Sequence, residues 1–460
     1  MPADAAPRVY LETLGCRLNE AELEAWARQF RRRGCRIAGS DEPADLLVVN
    51  TCAVTAEAVR KSRKLLRRLK RAHPDARLVV SGCAASLTDA DLGDAGIDLV
   101  VDNADKDRLV DIAADALALP APRTPSPDTD AAEALFARGR QRAFVKVQDG
   151  CRYQCTFCIT TIARGAERSR PLAEIIAEID AVAAAGVKEI VLTGVQLGGY
   201  GRGLPAADAP DLAGLIAAVL HHTEIPRVRL GSVEPWDLPA AFWRLFEDPR
   251  LMPHLHLPLQ SGADSVLKRM ARRCRTGAFA ELVTAARATV PDFEVSTDVI
   301  AGFPGETDAE WQQTLDFVAA MGFSHLHIFP YSARAGTLAA DMTDQVPEPV
   351  RRGRARALHA LGAELKATRL RAQVGRTLPV LIEGENRDAA GTYAAGFTPS
   401  YLPVRLRGAP SEAVGQIVAA RLLRLSDDAT ALEARCDTAA ARADRQEPTD
   451  TGFANAPALS

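Results

Sequence analysis

The chain has 460 residues, 47% of them hydrophobic and 25% charged, with a net charge of only −3. Such a composition belongs to a globular protein too long for one ordinary core, and it points to two or three domains. It excludes a disordered polyanion or polycation, so any contact with nucleic acid must come from local patches. Nine cysteines are too few at this length for a disulfide scaffold, and their grouping suits metal ligation in a reducing compartment. The opening MPADAAPRVYLETLGC has no basic segment followed by an apolar stretch, and no apolar run nears the ~18 residues of a membrane span. A cytoplasmic protein without membrane association is expected.

In chain order, RVYLETLG, DLLVVN, RLVVSG and IDLVV read as short strands separated by helical LNEAELEAWARQFRRR and TAEAVRKSRKLLRRLKR. That alternation predicts a parallel α/β domain over 8–117. The proline-rich stretch within 118–140 reads as a linker. A second alternation over 141–373 offers six strands (AFVKV, KEIVLTG, RVRLGS, HLHL, FEVSTDVIAG and FSHLHIF) with helices such as LAEIIAEIDAVAAAG and DAEWQQTLDFVAAMG between them. Six strand–helix units predict a partial (β/α)6 barrel with its site at the strands' C-terminal ends. Short runs separated by Gly, Pro and Asp over 374–436 predict a small antiparallel β-barrel. The Ala-, Asp- and Pro-rich tail, 437–460, is expected to be disordered.

The first barrel strand leads directly into GCRYQCTFC, which spaces Cys151, Cys155 and Cys158 as C-x3-C-x2-C. A closed structural zinc site needs four ligands. Three thiolates on a four-iron cluster instead leave one iron open for a small molecule to chelate. Three more cysteines, Cys16, Cys52 and Cys83, each follow a predicted strand of the first domain. Adjacent strand ends of a parallel sheet converge on one edge, so these distant residues can meet there and hold a second cluster. The alternative is three buried structural cysteines. Cys35, Cys274 and Cys436 match no ligand pattern.

These motifs carry a resemblance. TLGCRLNEAE, NTCAVT and SGC, followed by VQDGCRYQCTFC, LPLQSGADSVLKRMARR, STDVIAGFPGET and FPYSARAGT, resemble the radical S-adenosylmethionine (SAM) methylthiotransferases, from about Tyr10 to about Cys436. NTCAVTAEAVRKSRK and GFTPSYLPVRL are most similar to the branch acting on N6-threonylcarbamoyladenosine (t6A) at position 37, beside the tRNA anticodon. The resemblance implies two 4Fe-4S clusters, with SAM on the open iron of the Cys151, Cys155 and Cys158 set. Reductive SAM cleavage there would give a 5′-deoxyadenosyl radical, and the Cys16, Cys52 and Cys83 set would carry the sulfur. It implies an electron donor such as flavodoxin or ferredoxin, and an RNA-binding TRAM domain at the C-terminus. Radical chemistry suits this reaction, because the C2 hydrogen of adenine is not acidic and its carbon carries no leaving group. Many relatives follow the third cysteine with an apolar residue, Pro and Tyr; this chain has Thr160, Thr161 and Ile162. Other readings are a relative acting on isopentenyladenosine or on a ribosomal-protein aspartate, or a non-catalytic RNA-binding iron–sulfur protein.

Supporting residues are expected at strand ends: Gly194 and Gln196 in TGVQLGGYG, Ser232 and Glu234 in RLGSVEP, Gln260 and Ser261 in LPLQSG, and Asp298 and Gly302. Each could contact SAM or, for Ser232 and Asp298, simply cap the next helix. Arg164 and Arg168 are candidate contacts for the threonylcarbamoyl group or for phosphate. RKSRKLLRRLKR (60–71) carries eight Lys or Arg and no carboxylate, and a polyanion would relieve that repulsion. Arg351, Arg352, Arg354 and Arg356 make a second basic cluster, with Tyr393, Phe397 and Tyr401 as stacking candidates. The histidine pairs of HLHL and SHLHIF point one way along their strands, which suits packing or substrate contact better than a metal.

Overall fold

The computed structural model describes residues 6–87, 92–93, 95–119, 141–205 and 210–436. Of the expected linker only Ala118 and Leu119 are described, and the expected tail lies outside the described residues. The chain divides into two compact units, Met1–Arg369 and Leu370–Ser460.

The first unit opens with a five-stranded parallel sheet of β1 (Arg8–Thr13), β2 (Arg36–Ile37), β3 (Leu46–Thr51), β4 (Arg77–Gly82) and β5 (Leu99–Val101), in the order β2-β1-β3-β4-β5. The central strand β3, LLVVNT, is buried along its whole length. A strand covered on both faces needs such a continuous apolar run. Its alternation divides two cores. Leu47 and Val49, with Leu78 and Val80, pack under Leu65, Leu66 and Leu69 of α2 (Ala56–Ala72). Val48 and Val79 face Leu23, Trp26 and Phe30 of α1 (Arg17–Arg32) and Leu109 of α3 (Leu109–Leu117). Thr55 caps α2, its hydroxyl accepting from the Ala58 N–H at 3.1 Å.

Six parallel strands then form the barrel: β6 (Arg142–Lys146), β9 (Glu189–Thr193), β10 (Arg227–Leu230), β11 (His254–His256), β12 (Glu294–Ala301) and β13 (His325–Pro330). They pair as β10-β9-β6 and β11-β12-β13, and the bridges Val228↔Leu251 and Ser232↔His256 join the halves. Among the described residues nothing pairs β6 with β13, so the barrel stays open. Two short strands, β7 (Gln148–Asp149) and β8 (Arg168–Ser169), pair across the loop that carries GCRYQCTFC and the helix α4 (Ile159–Arg164). The outer helices are α5 (Leu172–Ala184), α6 (Leu212–His222), α7 (Asp264–Arg269), α8 (Thr276–Thr289), α9 (Asp308–Met321) and α10 (Glu348–Arg371). Thr307 and Glu310 form a reciprocal capping box at the start of α9. No helix among the described residues is long and apolar enough to cross a membrane.

The second unit is a closed barrel of β14 (Thr377–Asp388), β15 (Gly391–Phe397), β16 (Pro403–Arg407), β17 (Ile417–Leu425) and β18 (Leu432–Cys436), ordered β14-β15-β16-β18-β17. It departs from the all-antiparallel expectation at one seam, since β16 and β18 run parallel. Val380, Ile382, Leu406, Leu422 and Leu432 fill it.

Candidate active site

Parallel register sets the first half of the site. Thr13 pairs with Asn50 and Thr51 with Gly82, so β1, β3 and β4 end level. The residues just beyond them, Cys16, Cys52 and Cys83, therefore reach one sheet edge. Asn19 fastens that edge, its amide donating to the Leu14 carbonyl at 2.7 Å and the Thr51 carbonyl at 3.2 Å. Gly15, at φ +116°, lets the turns close up: a Cβ there would fall 2.9 Å from Cys52 Sγ.

The second half is the loop after β7. Gly150, at φ +73°, has no room for a Cβ, which would lie 1.9 Å from the Ala166 carbonyl oxygen. The Cys151 N–H donates to the Gly165 carbonyl at 3.1 Å, and the Thr156 N–H to that of Met270 at 3.1 Å. Phe157 packs edge-on against Phe303, with centroids 6.4 Å apart. Thr161, where many relatives differ, has its hydroxyl within reach of the Tyr153 carbonyl (3.2 Å) and of Cys158 Sγ (3.6 Å). In this chain Thr161 thus puts a hydroxyl beside the third cysteine, and no thiol is lost.

Cys16, Cys52, Cys83, Cys151, Cys155 and Cys158 all line one cavity of about 650 Å³. Among the described residues no three His, Cys, Asp or Glu side chains close on a single ion. Yet within each set a thiolate's charge is felt by the others. Each set offers three thiols and no fourth, a donor set that fits a four-iron cluster with one open iron and falls short of a closed four-ligand zinc site. Burial pushes Cys52 up to about 11 and Cys151 up to about 12, a penalty that a coordinating cation reverses.

Of the supporting candidates, Gly194, Ser232, Glu234, Gln260 and Asp298 line the same cavity. Gln196 does not: its backbone N–H donates to Gln148 Oε1 at 2.8 Å and its side chain is taken by Asp237. Ser261 is buried against Thr314, and the Gly302 N–H donates to Glu306. Sequence reasoning missed Arg272, which grips Glu234 at 2.9 and 2.6 Å, approaches Cys155 Sγ at 3.8 Å and stacks on Trp236. Its only signal was the basic run RMARRCR, which does not distinguish it from Arg273.

Arg164 lines the cavity as well, and its guanidinium is also tied to protein partners. Its guanidinium is buried, donating to Glu22 Oε1 and Asp149 Oδ1 (both 2.9 Å) and Asn19 Oδ1 (2.8 Å). Lys106 reaches Glu22 at 2.8 Å, and Lys146 reaches Asp149 at 3.0 Å. Burial alone would raise the Glu22 carboxyl, but Arg164, Lys106 and Lys146 overcome it and hold Glu22 well below the usual carboxylate range. Arg164 therefore joins the sheet to the cluster loop. Arg168 is not on the cavity; it donates to the Asn103 carbonyl at 3.4 Å.

The histidines form a linked set on β11 and β13. His254 Nε2 and His256 Nδ1 both lie 3.0 Å from Ser296 Oγ, and His256 Nε2 lies 3.1 Å from Asp298. His327 meets His256 and His325 edge-on, at 5.2 and 4.6 Å between centroids.

On the outer surface, Arg60, Lys61, Lys64, Arg67, Arg68 and Arg71 of α2 are exposed above its buried leucines. Carboxylates missing from the run arrive from elsewhere: Glu57 pairs with Arg60 and Glu12 with Arg68. Exposed pairs of this kind contribute little, and the face stays basic. The second basic cluster is not a patch, because Arg354 is buried between Glu306 and Asp308. In the second unit Arg405 and Arg407 stack over Tyr393, and Phe397 stacks on Tyr401 at 4.6 Å.

A three-cysteine loop at the mouth of an open parallel barrel defines a radical SAM protein, and residues 145–318 match the Radical SAM superfamily. Residues 8–102 match a family described as Uncharacterized protein family UPF0004. The threonylcarbamoyladenosine tRNA methylthiotransferase MtaB of Bacillus subtilis is 33% identical over 90% of this chain and 94% of its own. The tRNA-2-methylthio-N(6)-dimethylallyladenosine synthase of Acidothermus cellulolyticus is 36% identical over 88% and 84%. The chain belongs to the radical SAM methylthiotransferase family. In fold it is similar to the radical SAM methyltransferase TsrM from Kitasatospora setae (TM-score 0.54, 16% identity, 73% of this chain and 77% of that one).

Proposed function

We propose that the protein methylthiolates C2 of N6-threonylcarbamoyladenosine at position 37 of tRNA, using two 4Fe-4S clusters and SAM. The observation that carries this reading is the opening of both cysteine sets onto one cavity. Loaded with clusters and SAM, the site would supply a carbon radical and a sulfur donor in the same space. Cys151, Cys155 and Cys158 would hold the SAM-binding cluster, and Cys16, Cys52 and Cys83 the other. Gly194, Ser232 and Glu234 would orient SAM, while the surrounding apolar core excludes water. A flavodoxin or ferredoxin would supply electrons. Relatives named for threonylcarbamoyl and for dimethylallyl substrates are similarly distant, so the enzyme's own turnover decides between them. Reconstituted enzyme should convert threonylcarbamoyl-bearing tRNA to its 2-methylthio form, read by nucleoside mass spectrometry, and react poorly with isopentenyl-bearing tRNA. Turnover of the isopentenyl substrate alone refutes the substrate assignment and leaves the reaction class standing.

The exposed face of α2 and the TRAM-like barrel would hold the tRNA backbone. Changing Arg63, Lys64, Arg67 and Arg68 together to Ala should weaken tRNA binding and flatten its salt dependence, since fewer counterions are released. Iron content should not change. Filter binding across a salt series checks this, and an unchanged slope means that the face is only solvated.

A further inference from the structure

Helix α7 ends in a tight reversal just before Arg272. Ala271 takes the left-handed conformation at φ +55°. The Arg272 N–H donates back to the Leu267 carbonyl at 2.9 Å, and that of Ala271 to the Lys268 carbonyl at 3.0 Å. Helices that end this way normally place glycine where this chain has an exposed alanine. The reversal turns Arg272 inward, to 4% exposure. Glu234, beyond β10, accepts from both terminal nitrogens at 2.9 and 2.6 Å, and the Pro258 carbonyl, beyond β11, accepts at 2.6 Å. Trp236 lies 4.6 Å from the guanidinium, measured to its ring centroid. Held in this way, Arg272 Nη1 stands 3.8 Å from Cys155 Sγ. The cluster loop is fastened to the same helix end, because the Thr156 hydroxyl donates to the Arg269 carbonyl at 3.0 Å. The separation of guanidinium and sulfur is therefore set by the fold. Burial raises the Cys155 thiol, and Arg272 opposes it with a stronger influence than Cys158 or Glu234 exerts.

We propose that Arg272 is a positioning residue that sets the reduction potential of the cluster held by Cys151, Cys155 and Cys158. This deepens the preceding reading and rests on it. Reduction there takes one electron from the flavodoxin- or ferredoxin-class donor and makes or breaks no bond. A fixed positive charge beside a ligating sulfur stabilises the form that carries the extra electron, so Arg272 raises the potential. Its partner Glu234 carries the opposite charge and limits the rise. A guanidinium keeps its proton at any physiological pH, so the influence does not vary with pH.

The test is a redox titration followed by electron paramagnetic resonance. It uses the full-length chain reconstituted with iron and sulfide, with Cys16, Cys52 and Cys83 changed to Ala so that the barrel loop alone takes up iron. In this parent, R272Q should make the one-electron reduction about tenfold less favourable, a shift of ~59 mV to lower potential. E234Q leaves the Arg272 charge unopposed and should shift the potential the other way. R272K keeps the charge and should recover most of what R272Q loses. A pair with a merely structural role would not move the potential in opposite directions when its two members are changed in turn. If R272Q takes up no iron, E234Q decides, and a potential equal to or below that of the parent overturns the role of Arg272. SAM affinity is measured in parallel. Unchanged potentials with affinity lost in R272Q would assign the guanidinium to the SAM carboxylate and overturn the proposal, while the proposed function stands. A parent that takes up no iron overturns the cluster assignment and the proposal with it.

Discussion

Replacing Cys151, Cys155 and Cys158 together by Ala should abolish SAM cleavage while about four irons per chain remain on the N-terminal cysteines. These three thiols lie in one loop after β7 and would hold the cluster proposed to bind SAM, the other set being proposed to carry the sulfur. The reciprocal triple change of Cys16, Cys52 and Cys83 should leave 5′-deoxyadenosine formation detectable and stop methylthio transfer. Each loss is expected to be complete rather than partial, because the thiols act as ligand sets. Iron analysis and single-turnover SAM cleavage on the two variants provide the check. If the second variant keeps the iron content of wild type, the N-terminal cysteines hold no cluster.

Glu22→Gln should be the most destabilising single change in the sheet-to-barrel junction. Glu22 is 2% exposed and receives Arg164, Lys106 and Lys146. Without its charge, three buried cations share Asp149 and the exposed Asp107. Removing one partner of a buried ionic group costs about 3–5 kcal/mol. R164M should cost less, since it leaves two lysines facing two buried carboxylates. The pH dependence has a definite sign. Glu22 and Asp149 are held below their ordinary range, Asp149 at about 2. Their contribution is therefore present above the usual carboxylate pKa and is lost as pH falls toward 2. E22Q should flatten that acid limb. Urea midpoints of the cluster-free chain across the acid range give the measurement, and a midpoint equal to that of wild type would show that Glu22 does not secure the junction.

Much of this architecture was legible because its signals are local or follow from parallel pairing. DLLVVN read as a short strand and became β3, and C-x3-C-x2-C offered three thiols without a fourth and carried the resemblance to the radical SAM enzymes. Convergence of Cys16, Cys52 and Cys83 followed from strands that end level. What escaped was the destination of polar side chains. Arg164 read as a contact for the threonylcarbamoyl group or for phosphate, and its pairing with Glu22, 142 positions away in sequence, was not visible. Gln196 fell to Asp237 and Arg354 to Glu306 in the same way. A charged residue's partner depends on tertiary neighbours, which no window of sequence displays. The parallel seam between β16 and β18 was hidden for a related reason, since short strands do not announce which edge they will join.

The two cysteine sets are also written into the chain on very different length scales. Cys151, Cys155 and Cys158 fall within a single loop, so its local turns can gather them early in folding. Cys16, Cys52 and Cys83 meet only after β1, β3 and β4 have paired in register, with α1 and α2 folded as crossovers between them. Loop closure must be achieved before such contacts are rewarded, which makes them the slower to assemble. Under the proposed two-cluster reading, synthesis and repair would follow a natural order: the barrel loop would capture iron while the N-terminal thiols are still scattered. Iron held by those thiols would mark a finished sheet.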